Sequence, residues 1–424
     1  MASRRATVIG SGALSRRHDQ STQALLDRIE DRLIDAPEGL HRTGPPASAE
    51  ALAKAELDPE IGALWARWDG LEFGNGEACL LSLEAQVEAT AVAAEAGVLA
   101  PGDRVVGELG PALLVIPADP WEAGAEIVMV EEGERAPYAS SVVRLALGLV
   151  AEMSLLYDDD GEYREGLFEE FGTLTARAER KLSRRRLDFD PDAPFPRFRL
   201  AQILRRAGEL RAAKKELERV LHCAPEFEWA YWELGRTQLD IAERDQPGSR
   251  GEATSLAGAA ESFEAAAQRV RDAPLRALFK AWQARATVDD EARTALAMIV
   301  RELDPGFAAA REAGLREAIE DQDQQRASEL LALGLTIEPR HLGLLAQRRA
   351  VEEMPRPTAA TPDPEPRPAS TESRSARGGN RGTPDDRSAD RLGPTAGKSS
   401  RSMGKSSRST TKGRKPRPKS HNKR

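Results

Sequence analysis

The spacing of prolines that close short helical stretches is what most limits the folds open to this chain. Such prolines stand in Cys223-Ala-Pro225, Leu303-Asp-Pro305 and Ile337-Glu-Pro339. Pro339 follows Pro305 by 34 residues, and Pro305 follows Pro225 by 80, which is two periods of 34 with 12 left over. A Gly/Pro/Ser stretch, Asp245 to Gly251, lies inside the longer interval and is expected to absorb the surplus as a loop. Proline ends a helix because it has no amide hydrogen and its ring clashes with the preceding turn. A recurring unit of this length has room for two helices and cannot bury its apolar face alone, so the units must stack.

The positions within each unit agree. The first has Leu200, Ala201 and Leu204 on one helix, Gly208 at the turn, and Ala213, Leu217 and Val220 on the next. The second has Tyr231, Leu234 and Gly235, then Ala259, Phe263 and Ala266. The fourth has Ala327, Leu331 and Gly334 before Pro339. The third, about 274–306, keeps Ala281 but shifts its second-helix alanine by one position. Small residues let two helices of a hairpin approach, and large ones fill the gap between hairpins. This pattern resembles the tetratricopeptide repeat family over about 160 residues, 187–354, with a capping helix at 341–353. The resemblance implies an all-α array whose first helices line a concave groove for a protein or peptide. The matching positions are Phe198, Gln202, Arg205 and Arg206 in the first unit, Trp232 and Arg236 in the second, and Trp282 in the third. Arginine with tryptophan suits a partner that carries acidic groups and an apolar anchor. The same side chains could equally pack on the preceding segment or stand solvated. The family's carboxylate-clamp subclass uses Lys and Asn at these places, which Phe198 and Gln202 do not match.

The N-terminal half follows a different pattern. Residues 1–18 read as a flexible segment. A helix is expected over 19–36, with Asp19 and Ser21 near its cap and Leu25, Ile29 and Leu33 on one face. A second helix is expected over 48–68, carrying Ile61, Leu64, Trp65 and Trp68. Then come a turn at Asp69-Gly70, a polar loop from Glu72 to Gly76, an apolar run from Ala78 to Leu83, and a helix over 84–96. Two strands are expected at Ala112–Ala118 and Glu126–Val130, and a closing helix at Ser140–Met153. Residues 19–153 thus form an α+β domain, followed by a connector at 154–186 and the repeats. The helix ending in Trp68-Asp69-Gly70, with strands and a final helix after it, is similar to the SUKH superfamily. That resemblance implies a protein-binding module without catalysis, of the kind found in cell-wall regulators and toxin-immunity proteins. The other reading is an unrelated small α+β domain with Trp65 and Trp68 in its core.

Charge divides the chain in two. The net charge of −8 hides a tail, 355–424, with 18 basic and 6 acidic residues, against 43 basic and 63 acidic residues in 1–354. The tail is rich in Pro, Ser, Thr, Gly, Arg and Lys and has almost no large apolar residue, so disorder is expected. Its end, 391–424, carries 12 basic residues and no acidic one, which suits nucleic-acid phosphates without sequence preference. No aromatic residue stands there to stack on bases, and an acidic protein surface is the other candidate. Residues for catalysis are not evident. The five histidines have no partner at metal-ligand spacing, Gly10-Ser-Gly12 lacks the third glycine of a dinucleotide turn, and Asp158-Asp-Asp160-Gly161 has leucine where an EF-hand needs an earlier acid. No cofactor or metal is expected. Cys79 and Cys223 suit a reducing compartment, the N-terminus does not read as a signal peptide, and no run approaches a membrane span. The expectation is a cytoplasmic, non-enzymatic adaptor or scaffold, with toxin immunity through the N-terminal domain and nucleic-acid association through the tail as alternatives.

Overall fold

The computed structural model describes residues 21–120, 124–169 and 172–355. The segment 1–18 and nearly all of the basic tail, including 391–424, lie outside the described residues.

Helix α1 (Thr22–Ile34) starts where Ser21 Oγ accepts the Ala24 amide hydrogen. The single helix expected over 48–68 is two, α2 (Ala49–Ala55) and α3 (Pro59–Arg67). Glu56 takes left-handed backbone angles (φ 51°), and Pro59 starts afresh at the head of α3. A seven-stranded antiparallel meander then forms: β1 (Arg42–Thr43), β2 (Leu71–Phe73), β3 (Ala78–Leu80), β4 (Arg104–Leu109), β5 (Ala112–Ile116), β6 (Ile127–Glu131) and β7 (Glu134–Ala139). Only two of these strands were expected. The Glu72–Gly76 segment read as a loop begins inside β2, and a turn at Gly74, Asn75 and Gly76, all at positive φ, joins it to β3. β4 is hidden by Gly107, which sits at a bulge where any Cβ would meet the Cys79 carbonyl oxygen at 2.2 Å. β7 is hidden by Pro137, tolerated because the strand lies at the sheet edge.

Alternation along the strands sends side chains to two cores. Val105, Val115, Val128 and Val130 pack on Ala93 of α4 (Leu83–Glu95). Val106, Leu114 and Ile127 point the other way, into a larger core with Ile29, Leu64, Trp65, Phe73 and α5 (Val142–Leu156). The Trp68-Asp69-Gly70 turn is fixed by Asp69 Oδ1, which accepts the Leu83 amide at 2.7 Å, while Trp65 Nε1 donates to the Leu81 carbonyl at 2.8 Å.

Among the described residues ten helices follow α5: α6 (Ala176–Phe189), α7 (Pro194–Arg206), α8 (Leu210–Cys223), α9 (Glu228–Arg244), α10 (Arg250–Arg269), α11 (Ala273–Ala286), α12 (Asp290–Leu303), α13 (Phe307–Glu320), α14 (Gln324–Ile337) and α15 (Leu342–Glu353). They pack in a repeat-like array of hairpins, α7 with α8, α9 with α10, α11 with α12 and α13 with α14. α8 rests on α9, and α10 on α11. Gly235 of α9 is required here, since a Cβ would stand 2.7 Å from the Phe263 ring of α10, and Ala259 is fully buried in the same region.

Two features of the array depart from expectation. The 12 surplus residues are not a loop. They lengthen α9 to 17 residues and α10 to 20, and leave only the turn from Asp245 to Ser249. Ser249 caps α10 by accepting the Glu252 amide, and the Glu252 carboxylate reaches back to the Gly248 amide. Helix therefore begins at Arg250, inside the expected loop. The fourth hairpin also stacks on the third through α14, its second helix, rather than through α13. α14 has apolar residues on opposite faces. Leu333 and Ile337 join the core of α9–α12, while Ala327 and Leu331 pack with α13 and α15. Alanine-rich α13 has less to bury. Among the described residues no helix is long and apolar enough to cross a membrane.

His41 gives the fold a pH dependence. Its ring stands edge-on to Phe73 at 6.0 Å, and Nδ1 is buried with no partner among the described residues. Burial pushes its pKa down to about 4 from 6.5. The unfolded chain therefore binds a proton between these values that the folded chain does not, and stability present above pH 6.5 is lost as pH falls towards 4. His41→Phe keeps a ring and removes the titration. The fall in thermal midpoint between pH 6.5 and 4 should be shallower in His41→Phe than in the wild type when followed by circular dichroism.

Candidate functional site

The residues expected to line a groove fall into two groups. Phe198 is buried among Ala201, Leu217, Val220 and Phe227, with its ring 5.1 Å from that of Phe227. Arg205 is also buried. Its Nε donates to Glu233 Oε1 at 2.5 Å and its Nη1 to Asp240 Oδ2 at 3.2 Å, tying α7 to α9. Burial opposes the charge on Arg205, but the Glu233 carboxylate and then Asp240 more than offset it, and its pKa rises. Gln202 is half-buried and accepts from Arg199 at 3.1 Å, while Arg206 is exposed.

Trp232, Arg236 and Trp282 are brought together. Trp232 and Arg236 lie one turn apart on α9, and Trp282 comes from α11. The Arg236 guanidinium carbon is 4.7 Å from the Trp232 ring centroid and 5.2 Å from that of Trp282, so the cation lies against both rings. The two indoles meet edge to face at 6.4 Å, and Trp282 stacks on Phe263 at 5.7 Å. Arg285 approaches Trp282 from the same helix at 5.1 Å.

A fourth member, Glu329, arrives from α14 and is ion-paired with Arg236 Nη2. Sequence reasoning missed it because it looked for groove residues on the first helix of each hairpin, and α14 is the second helix of its hairpin. Burial lowers the Arg236 pKa, and the neighbouring Arg205 adds to this; Glu329, Glu233 and Asp240 act against it. Two donors in this cluster, Trp232 Nε1 and Arg236 Nε, are buried and have no acceptor among the described residues. A buried donor without an acceptor costs free energy, so an acceptor oxygen placed here is favoured.

Elsewhere, a cleft of about 240 Å3 separates the sheet from α6 and α7. The charged groups in its lining are already paired: Arg186 with Glu152 and Tyr138, Glu77 with Tyr157, and Arg199 with Glu179. The acidic turn closes on itself, since Asp158 Oδ1 accepts the amides of Asp160 and Glu162. Among the described residues no three His, Cys, Asp or Glu side chains gather to hold a metal ion.

No protein-family model matches the chain, and no curated protein matches it. Among solved structures it is similar to a thermophilic TPR protein of Thermus thermophilus, at 16% identity over 42% of this chain and 90% of that one, with a TM-score of 0.30. It is also similar to YrrB, a TPR protein with an unusual peptide-binding site, at 20% identity over 41% and 82% of the two chains, with a TM-score of 0.26.

The Arg205–Glu233 pair is interior, with side chains 7% and 1% exposed. Glu233→Ala strands a buried guanidinium and should cost about 3–5 kcal/mol in urea unfolding. Arg206→Ala, at an exposed site on the same helix as Arg205, should change stability by less than about 0.5 kcal/mol.

Proposed function

We propose that this chain is a non-enzymatic interaction scaffold. In this reading its helical array takes a carboxylate-bearing segment of a protein partner at Trp232, Arg236 and Trp282. The observation that carries the reading is the pair of buried donors, Trp232 Nε1 and Arg236 Nε, which have no acceptor beside a guanidinium held against two indoles. A carboxylate satisfies both donors, and the half-buried Trp232 indole offers apolar surface to a neighbouring side chain, while Trp282 is buried and backs the guanidinium from within. Glu329 supports the choice of ligand, since a carboxylate of the chain itself already sits on Arg236. With its side chain 27% exposed, Glu329 is the replaceable partner. Gln202 and Arg206 on α7 are assigned to the rim. Phe198 and Arg205 are assigned to holding the rim in place, because both are buried and engaged. The cytoplasm is taken as the compartment, 187–354 as the binding part, and 154–186 as the connector.

A second reading concerns 19–153 as a SUKH-like binding module. It is favoured by the formed turn at Trp68-Asp69-Gly70, in which Asp69 caps α4, with strands and the long helix α5 following. Partner capture by this module would survive every substitution in α9.

The test uses the full chain on a peptide array in which acidic and apolar residues vary independently. Peptides with a carboxylate next to a large apolar residue should bind best. Arg236→Gln should weaken them about tenfold or more, and Glu329→Gln, which removes the internal competitor, should strengthen them. Binding that ignores peptide acidity, or that Arg236→Gln leaves intact, refutes the groove assignment.

A further inference from the structure

Three guanidinium groups gather on one aromatic ring between α1 and α6, far in sequence from the Arg236 cluster. The guanidinium carbons of Arg28, Arg32 and Arg185 lie 5.3, 4.8 and 5.5 Å from the centroid of Phe189. Arg28 and Arg32 are one turn apart on α1, and Arg185 and Phe189 one turn apart on α6. Phe189 is buried in the main core with Leu25, Leu26 and Ile29, so the platform is fixed. The three arginines are half-buried, which weakens the screening of their charges by water.

Stability alone gives little reason for this arrangement. Burial and then the neighbouring Arg185 and Arg28 all work against the charge on Arg32, with Asp35 as the carboxylate that opposes them. Among the described residues neither Arg32 nor Arg185 pairs with a carboxylate, and the buried Nε of Arg185 has no acceptor. A cation cluster of this kind is relieved by an anion with several acceptor oxygens. Guanidinium forks match carboxylate and phosphate alike, but one carboxylate brings a single charge to the two cations Arg32 and Arg185. A phosphoryl group brings close to two charges and three acceptor oxygens.

We propose that Arg28, Arg32 and Arg185, set on Phe189, form a binding site for a phosphate-class oxyanion, either inorganic phosphate or the phosphate of a small monoester. Arg32 and Arg185 face each other from two helices, so the ligand also fastens α1 to α6.

The experiment is thermal denaturation of the full chain in sodium phosphate, with sodium chloride and sodium acetate at matched ionic strength as controls. Phosphate at about ten times its Kd should raise the thermal midpoint by about 2 °C, while the controls should not. A parallel arm with glycerol phosphate separates the sources: a larger rise than with inorganic phosphate identifies a monoester, and an equal or smaller one identifies the free ion. Arg32→Gln and Arg185→Gln should each weaken phosphate binding at least tenfold in calorimetric titration at 20 °C, where circular dichroism establishes that the variants are folded. The ligand-free midpoint of each should move little, since the lost contact with the Phe189 ring is offset by the removal of a like charge. Arg32→Lys, which keeps the charge and loses the fork, should fall between wild type and Arg32→Gln. Arg349→Gln, at an exposed site on α15, should respond as the wild type does. An equal rise in chloride, or full phosphate binding in both glutamine variants, overturns the proposal.

Discussion

The sheet, its flanking helices and the first helix of the array are arranged around one helix that water barely touches. α5 buries Val142 to Ala151 without a break, on the sheet side and on the side facing the array. A helix apolar all round has to be enclosed by protein on every side. The sheet and α1 cover part of it, and α6 covers the rest. Polar groups then lock the cover down. Arg144 Nη1 donates to the Phe189 carbonyl at 2.9 Å, Asp190 accepts from Ser140, and Arg186 Nε meets Glu152 at 2.6 Å. Burial pushes the Asp190 carboxyl up, and the Ser140 hydrogen bonds, with Arg144, hold against that. The helices after α5 are thus anchored at their first member by the core of the sheet.

Further along, the array is tied by charges as well as by apolar contact. Arg205 and Glu233 link the first two hairpins from within, where water cannot replace either partner. Arg236 and Glu329 link the second hairpin to the fourth, nearer the surface. The difference in burial separates their roles. The inner pair fixes geometry, while the outer pair sits beside unsatisfied donors and can exchange its carboxylate.

How much was legible in the sequence follows from the range of each signal. Local signals read well. The cap at Ser21, the closing helix α5 and the small residues Gly235 and Ala259 all have causes within a few residues or one hairpin. Among the strands that stayed hidden, β4 and β7 contain Gly107 and Pro137, whose presence makes sense only once the Cys79 carbonyl and the sheet edge are known. The helix boundary at Glu56 was overlooked because the pattern around Leu57-Asp-Pro59 still looks helical. In the site, the periodicity identified Trp232, Arg236 and Trp282, which do converge, although Trp282 is buried. It also named Phe198 and Arg205, which are turned inward, because family position says nothing about the partner, Phe227 or Glu233, across the interface. Glu329 was out of reach, since its place depends on how the last hairpin is turned.

That last hairpin has a consequence for how such a chain can change in length. Where each hairpin offers its second helix to the first helix of the next, a duplicated unit finds a ready surface and the stack grows. Here α14 has already taken the surface of α11 and α12, and α13 is packed with α14 and α15 instead. A copy inserted after Pro339 would meet the wrong helix, and Leu333 and Ile337 would have no second seat to occupy. A unit added between α7 and α12 would meet the surface that its neighbours already use, whereas one added after Pro339 would not.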